Sequence, residues 1–169
     1  MNSDWTFRLE NLGGPLLFRV NGLPPEWMVD EVRVGDKDVT DAPYDVPTGG
    51  QDVSGVRIVI TNFSSTLEGE VVDAEGRPNR DATVIVFPED ADLRTPGSRF
   101  SAVSQSNATG RFTVRNLPPG DYFVTARTSV IDGQWEDRSF LETLTGTSSR
   151  VTVSRGQTVT VRVQLQTVR

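Results

Sequence analysis

Gly110-Arg-Phe112-Thr-Val114-Arg-Asn116-Leu117-Pro118-Pro119-Gly120-Asp121-Tyr122-Phe-Val-Thr-Ala-Arg127 decides the fold. Residues 111–116 alternate apolar and polar side chains. That is the spacing of a half-buried strand, because successive side chains leave a strand on opposite faces. Pro118-Pro119-Gly120-Asp121 then marks a turn, with proline fixing φ and glycine permitting positive φ. From Tyr122 to Ser129 a second strand follows. Tyr122, just past the turn, is expected to anchor the corner through its hydroxyl on a backbone group.

The same grammar extends in both directions. Upstream, Leu67-Glu-Gly69-Glu-Val71 alternates, and Asp73-Ala-Glu-Gly76-Arg-Pro78 reads as a turn. Ala82-Thr-Val84-Ile-Val86-Phe87 is the next strand, closed by Pro88, which has no N–H to give to a ladder. Residues 90–98 read as loop, 99–105 as strand and Asn107-Ala-Thr-Gly110 as turn. Downstream, Phe140, Leu141 and Leu144 stand at helical spacing and predict one short helix within 136–145. Val151-Thr-Val153, a turn at Arg155-Gly156, and Val159-Thr-Val161-Arg-Val163-Gln-Leu165 return to a period of two. Short strands parted by turn residues every eight to twelve positions or so predict an all-β, Greek-key sandwich over 64–169.

A partial copy of that unit precedes it. Phe7-Arg-Leu-Glu-Asn11-Leu12 lies on Phe112–Leu117 at a shift of 105 residues, Phe18 on Phe123, and Val56-Arg57-Ile58 on Val161-Arg162-Val163. A rival shift of 94 places Phe18, Val20, Leu23, Pro24 and Pro25 on Phe112, Val114, Leu117, Pro118 and Pro119. The shift of 105 is preferred because it aligns both ends. Internal repeats reveal the folding unit, so residues 1–63 are expected to be a partial sandwich lacking its first strands. Its strands are predicted at 6–10, 16–21, 28–34 and 56–61, with a polar turn at 35–38 and a loop at 41–50. The counterpart of 65–105 would lie ahead of Met1, as in a chain that begins inside a longer array.

Composition narrows function. A net charge of −6 and a pI near 4.7 argue against nucleic-acid binding, which rests on basic surface. No run approaches the roughly 18 apolar residues of a membrane span, and the N-terminus lacks a signal-peptide core. There is no cysteine and no histidine, so thiol chemistry, disulfides and histidine-based catalytic triads are excluded.

Three features in order, Leu67-Glu-Gly69-Glu-Val71-Val-Asp73 with Gly76-Arg-Pro78, then Ala82–Val86 with Phe87-Pro88, then Gly110-Arg-Phe112 with Leu117-Pro-Pro-Gly120-Asp-Tyr122, resemble the carboxypeptidase regulatory-like domain. That family is a seven-stranded prealbumin-like sandwich related to Cna-B repeats and to the carbohydrate-binding-like fold. The resemblance covers about 65–166. It implies an exported bacterial protein, extracellular, periplasmic or associated with the outer membrane. The zinc site of the carboxypeptidases themselves needs histidine, as does the hydroxyisourate hydrolase branch of the fold, and neither activity is expected. The Lys–Asn cross-link of Cna-B relatives is not expected either. Residues 64–169 hold no lysine, and Lys37, the single lysine, sits in a polar turn where it stays solvated and protonated.

Candidate sites are few. Asp36, Asp38, Asp41 and Asp45 could offer oxygen ligands to Ca²⁺, though without EF-hand spacing, and aspartates also favour turns for local reasons. Glu68 and Glu70 share one strand face and read as a solvated surface rather than a glycosidase pair. Trp135, Trp27 and Trp5 could stack on sugar, as the resemblance implies, or pack like most tryptophans of small sandwiches. The expectation is a non-catalytic spacer module of a tandem array, with no cofactor. The second reading is a carbohydrate-binding module. Expected partners are neighbouring domains of the same polypeptide, a glycan under the second reading, and a second copy through the open edges of 1–63.

Overall fold

A computed structural model describes residues 5–48 and 52–167. They form two compact units. The first comprises the chain up to Gly22 with Val29–Ile60, and the second comprises Leu23–Met28 with the chain from Thr61 onward.

The second unit is the expected β-sandwich. One sheet joins β6 (Ser65–Val72) at its centre to β9 (Arg111–Leu117) and β12 (Thr158–Gln166). The other joins β7 (Thr83–Pro88) to β8 (Ala102–Gln105) and β10 (Gly120–Arg127), and β10 also pairs with β11 (Ser149–Val153). The two sheets touch through a short parallel pairing of β10 with β12 at Ala126–Leu165 and Arg127–Gln166. Leu67, Val71, Phe112, Val114 and Val163 point inward from the first sheet, and Val84, Val86, Tyr122 and Val124 from the second. Each set occupies alternate positions, as the pleat requires.

Neither β7 nor β10 alternates, for a physical reason. Their other face carries Ile85, Phe87 and Phe123, which pack on Leu141 and Leu144 of the helix α1 (Arg138–Leu144). A strand covered on both faces reads as a continuous apolar run. The helix is shorter than the expected 136–145 because Asp137 caps it, accepting from the Phe140 N–H at 3.0 Å. The strand expected at 99–105 is confined to β8, and the loop after β7 contains a 3₁₀ turn, Ala91–Leu93.

The expected corner is present, with one correction. The Tyr122 hydroxyl, fully buried, donates to the Pro118 carbonyl at 2.6 Å. Gly120, however, is nearly extended at φ 159°, and the left-handed residue of this corner is Asn116 at φ 63°. Asparagine tolerates that region better than other non-glycine residues. Its amide nitrogen also donates to the Pro25 carbonyl at 3.0 Å.

The first unit is thinner. β1 (Gly14–Leu16) pairs with β4 (Tyr44–Val46), while β2 (Met28–Val34) is flanked by β3 (Lys37–Asp38) and β5 (Val56–Thr61). The strands expected at 28–34 and 56–61 are present. Residues 6–10 form no strand, the strand expected at 16–21 shrinks to β1, and β4 lies inside the expected loop 41–50, of which Gly49 and Gly50 lie outside the described residues. Val32 and Val39 are the fully buried apolar side chains of this unit among the described residues.

Strand positions also redistribute the two registers. At a shift of 94, Gly22 (φ 79°) meets Asn116 (φ 63°), and β2 falls on β10. At 105, Asn11 (φ 60°) also meets Asn116, and at neither shift does the segment placed on β9, 6–12 or 17–23, form a strand. Only towards the end does 105 hold, with β5 on β12. The shifts differ by eleven residues, and between the matched strands the second unit holds α1 with its flanking 3₁₀ turns. By strand position, β2 thus matches at the shift of 94 and β5 at the shift of 105.

Candidate interaction surface

The tryptophans lie on three different segments. Trp135 sits in a 3₁₀ turn (Gln134–Glu136) that follows Gly133 at φ 77°, and its indole packs against the Ile85, Phe87 and Phe123 cluster. Trp27 is half-buried in a turn closed by its own N–H on the Pro24 carbonyl at 2.9 Å. Trp5 is 73 % exposed. A flat open indole is what sugar stacking needs, and Trp135 has part of its surface committed to packing.

The aspartate loop has local uses. Asp38 accepts from the Thr40 N–H at 2.9 Å and from its hydroxyl at 2.6 Å. This is the turn chemistry by which aspartate competes with regular structure. Asp36 offers its backbone carbonyl to the Arg33 guanidinium. Asp45 stands on β4 opposite Pro15. Among the described residues no three acidic side chains come together to hold an ion. Lys37 is exposed at the start of β3, with its ammonium 5.9 Å from the Tyr44 ring centre.

The carboxylates of β6 sit on the outer sheet face. Glu68 is exposed, and Glu70 meets Arg162 of β12 at 3.7 Å in a cross-strand pair. Asp73 is a carboxyl group with a clear perturbation. The Arg77 backbone N–H is the main cause that holds it below the usual carboxylate range, helped by the Arg77 side chain and the Glu75 N–H. These bonds close the turn after β6, so the perturbation serves folding.

Arg94 is a residue that sequence reasoning missed, hidden in the loop after β7. It is 6 % exposed, donates to the carbonyls of Pro88 at 2.9 Å and Glu89 at 2.7 Å, and lies over the rings of Phe87 and Phe123. Arg150 covers the Phe123 ring as well and pairs with Glu89 at 3.4 Å. Guanidinium planes suit both tasks, bonding in the plane and stacking across it. The only early signal was a single arginine closely following Phe87-Pro88.

The first unit carries the most open apolar surface. Trp5, Phe7, Leu9 and Leu12 are all exposed. Phe7, Leu9, Leu12, Leu16, Phe18 and Val56 contribute to the lining of one groove in that unit. No helix among the described residues is long and apolar enough to cross a membrane.

Residues 66–166 match the model of the carboxypeptidase regulatory-like domain. No curated protein matches the chain. Among solved structures, it is similar to a putative carbohydrate binding protein from Pseudomonas aeruginosa, at 14 % identity and a TM-score of 0.39 over 60 % of this chain and 88 % of the other. It is also similar to the minor pilin GBS52 of Streptococcus agalactiae, at 14 % identity and 0.39, over 64 % and 52 %. A streptococcal ancillary pilin matches at 17 % identity and 0.42, over 73 % and 38 %.

Proposed function

Because the chain belongs to the carboxypeptidase regulatory-like domain family, we propose that it is a non-catalytic structural module of an exported bacterial protein, one of several sandwich repeats in tandem. The observation that carries this reading is the placement of the first and last strands of the second unit. β6 and β12 lie side by side and parallel over seven residue pairs, from Thr66–Thr158 to Val72–Gln164. Tension applied between the N-terminal end of β6 and the C-terminal end of β12 runs along both strands in opposite directions. Every rung of that ladder is then sheared at once instead of being opened in turn. Such a unit transmits force and holds its neighbours at a fixed spacing.

The absence of histidine and cysteine from the sequence, and the local roles of Glu70, Asp73 and Asp38, support a role without chemistry. The carbohydrate-binding reading would need an open aromatic platform, and Trp135 is partly taken up by the helix-side core. Glycan-array binding by the full chain, compared with a Trp135→Ala variant, separates the two. The structural reading expects no specific binding by either. Specific binding that disappears in the variant would overturn it.

A further inference from the structure

At the shift of 94, Phe18, Val20 and Leu23 are the counterparts of Phe112, Val114 and Leu117 on β9. In the second unit those three side chains are buried, and β9 is held by pairing with β6 along Ser65–Leu117 to Glu70–Arg111. In the first unit Phe18 and Val20 are half-buried and residues 17–22 form no strand. The second unit therefore shows what a segment of this pattern pairs with. It also shows a steric requirement. Gly69 of β6 lies opposite Phe112, and a Cβ there would fall 2.5 Å from two atoms of the Phe112 ring.

We propose that the groove of the first unit accepts an added β-strand of the pattern Leu-x-Gly-x-Val, with its glycine opposite Phe18. Main-chain bonds to residues 17–22 would supply the affinity, and the alternating apolar side chains would cover Phe18 and the exposed Phe7 and Leu9 that line the groove, as in other cases of strand addition. The donor is a β6-like segment of another repeat. A second copy of this chain is a poor donor, because its own β6 is already paired on both edges, to β9 and β12. This inference rests on the repeat reading above, but not on the absence of glycan binding or on resistance to force.

The test uses the isotope-labelled full chain and a synthetic peptide, Ser-Thr-Leu-Glu-Gly-Glu-Val-Val-Asp, followed by amide chemical shifts. Saturable shifts confined to residues 7–22 and their sheet neighbours are expected. A peptide with leucine in place of the glycine should bind about tenfold more weakly or worse, the fold-change that overpacking of one side chain produces. In a Phe18→Ala chain that discrimination should largely vanish, because the ring that demands glycine is gone. Equal binding of both peptides to the parent chain, shifts confined to the second unit, or no saturable shift at millimolar peptide would each overturn the proposal. So would concentration-dependent shifts in 7–22 without peptide, which would make a second copy the occupant.

Discussion

Replacing Gly69 by alanine should destabilise the second unit, although alanine is ordinarily the better strand residue. Gly69 lies at the middle of β6, between Phe112 on β9 and Val161 on β12. An added Cβ would fall 2.4 Å from the Val161 carbonyl oxygen and 2.5 Å from two carbons of the Phe112 ring. Ordinary van der Waals contact begins near 3.4 Å, so ring and backbone must each retreat by about 1 Å. The ring is 4 % exposed and packed in the core, while the carbonyl belongs to a strand paired with β6 itself. Overpacking of this kind costs ~1–3 kcal/mol. The lower chain entropy of alanine in the unfolded state offsets ~0.4–1 kcal/mol of that. A net loss of about 1–2 kcal/mol should appear in urea titration as a lower midpoint at unchanged slope. For a unit of this size the melting temperature should fall by about 5–15 °C. Phe112→Leu in the Gly69→Ala background should recover part of the loss, leaving the portion due to the carbonyl. A Gly69→Ala chain as stable as the parent would refute the packing argument, and with it the requirement for glycine opposite Phe18.

Other perturbations follow from the same structure. Tyr122→Phe leaves the buried Pro118 carbonyl without its donor and should cost ~1–3 kcal/mol in urea titration, and a neutral result would remove the corner from the account. Arg94→Lys keeps the charge but loses the paired bonds to Pro88 and Glu89 and the stack on Phe87 and Phe123. A loss of about 1–3 kcal/mol is expected, and full rescue by lysine would show that charge alone matters there. Asp73 has a folded-state pKa depressed below its unfolded value, so its contribution is present above the unfolded carboxylate pKa of ~4 and is lost as pH falls through the folded one. Melting temperature between roughly pH 5 and 2 should therefore depend less steeply on pH in Asp73→Asn, and an unchanged slope would contradict the assigned bonds.

The second unit was legible because its strands obey local rules. Phe112 and Val114 alternate, Pro118-Pro119 breaks the chain, and Phe140, Leu141 and Leu144 announce the helix. Even the Tyr122 hydroxyl bond to the backbone follows from position alone. What escaped was set by tertiary packing. Arg94 looked like any loop arginine until Phe87 and Phe123 closed around it. Trp135 stood in a loop-like stretch, but α1 and its preceding turn bring it onto the core. In the first unit the alternating Phe7-Arg-Leu9 read as a strand, yet those side chains remain exposed and no pairing forms there. Alternation reports a side-chain pattern and cannot report whether a partner strand is available. The aspartates of 36–45 were clustered in sequence, whereas a hairpin and β4 give Asp38 and Asp45 separate local roles.

Under the proposed structural role, tension on the second unit passes through the parallel pairing of β6 and β12. The absence of cysteine from the chain allows handles to be attached at two chosen sites, Ser64→Cys with Thr167→Cys in one protein and Arg80→Cys with Gln105→Cys in another. Pulling the first shears the β6–β12 ladder, while pulling the second peels the edge pairing of β7 with β8 one rung at a time. A single unfolding event is expected in the first geometry, at a severalfold higher force than the first event in the second. Equal forces in the two geometries, or a lower force along the terminal strands, would contradict it.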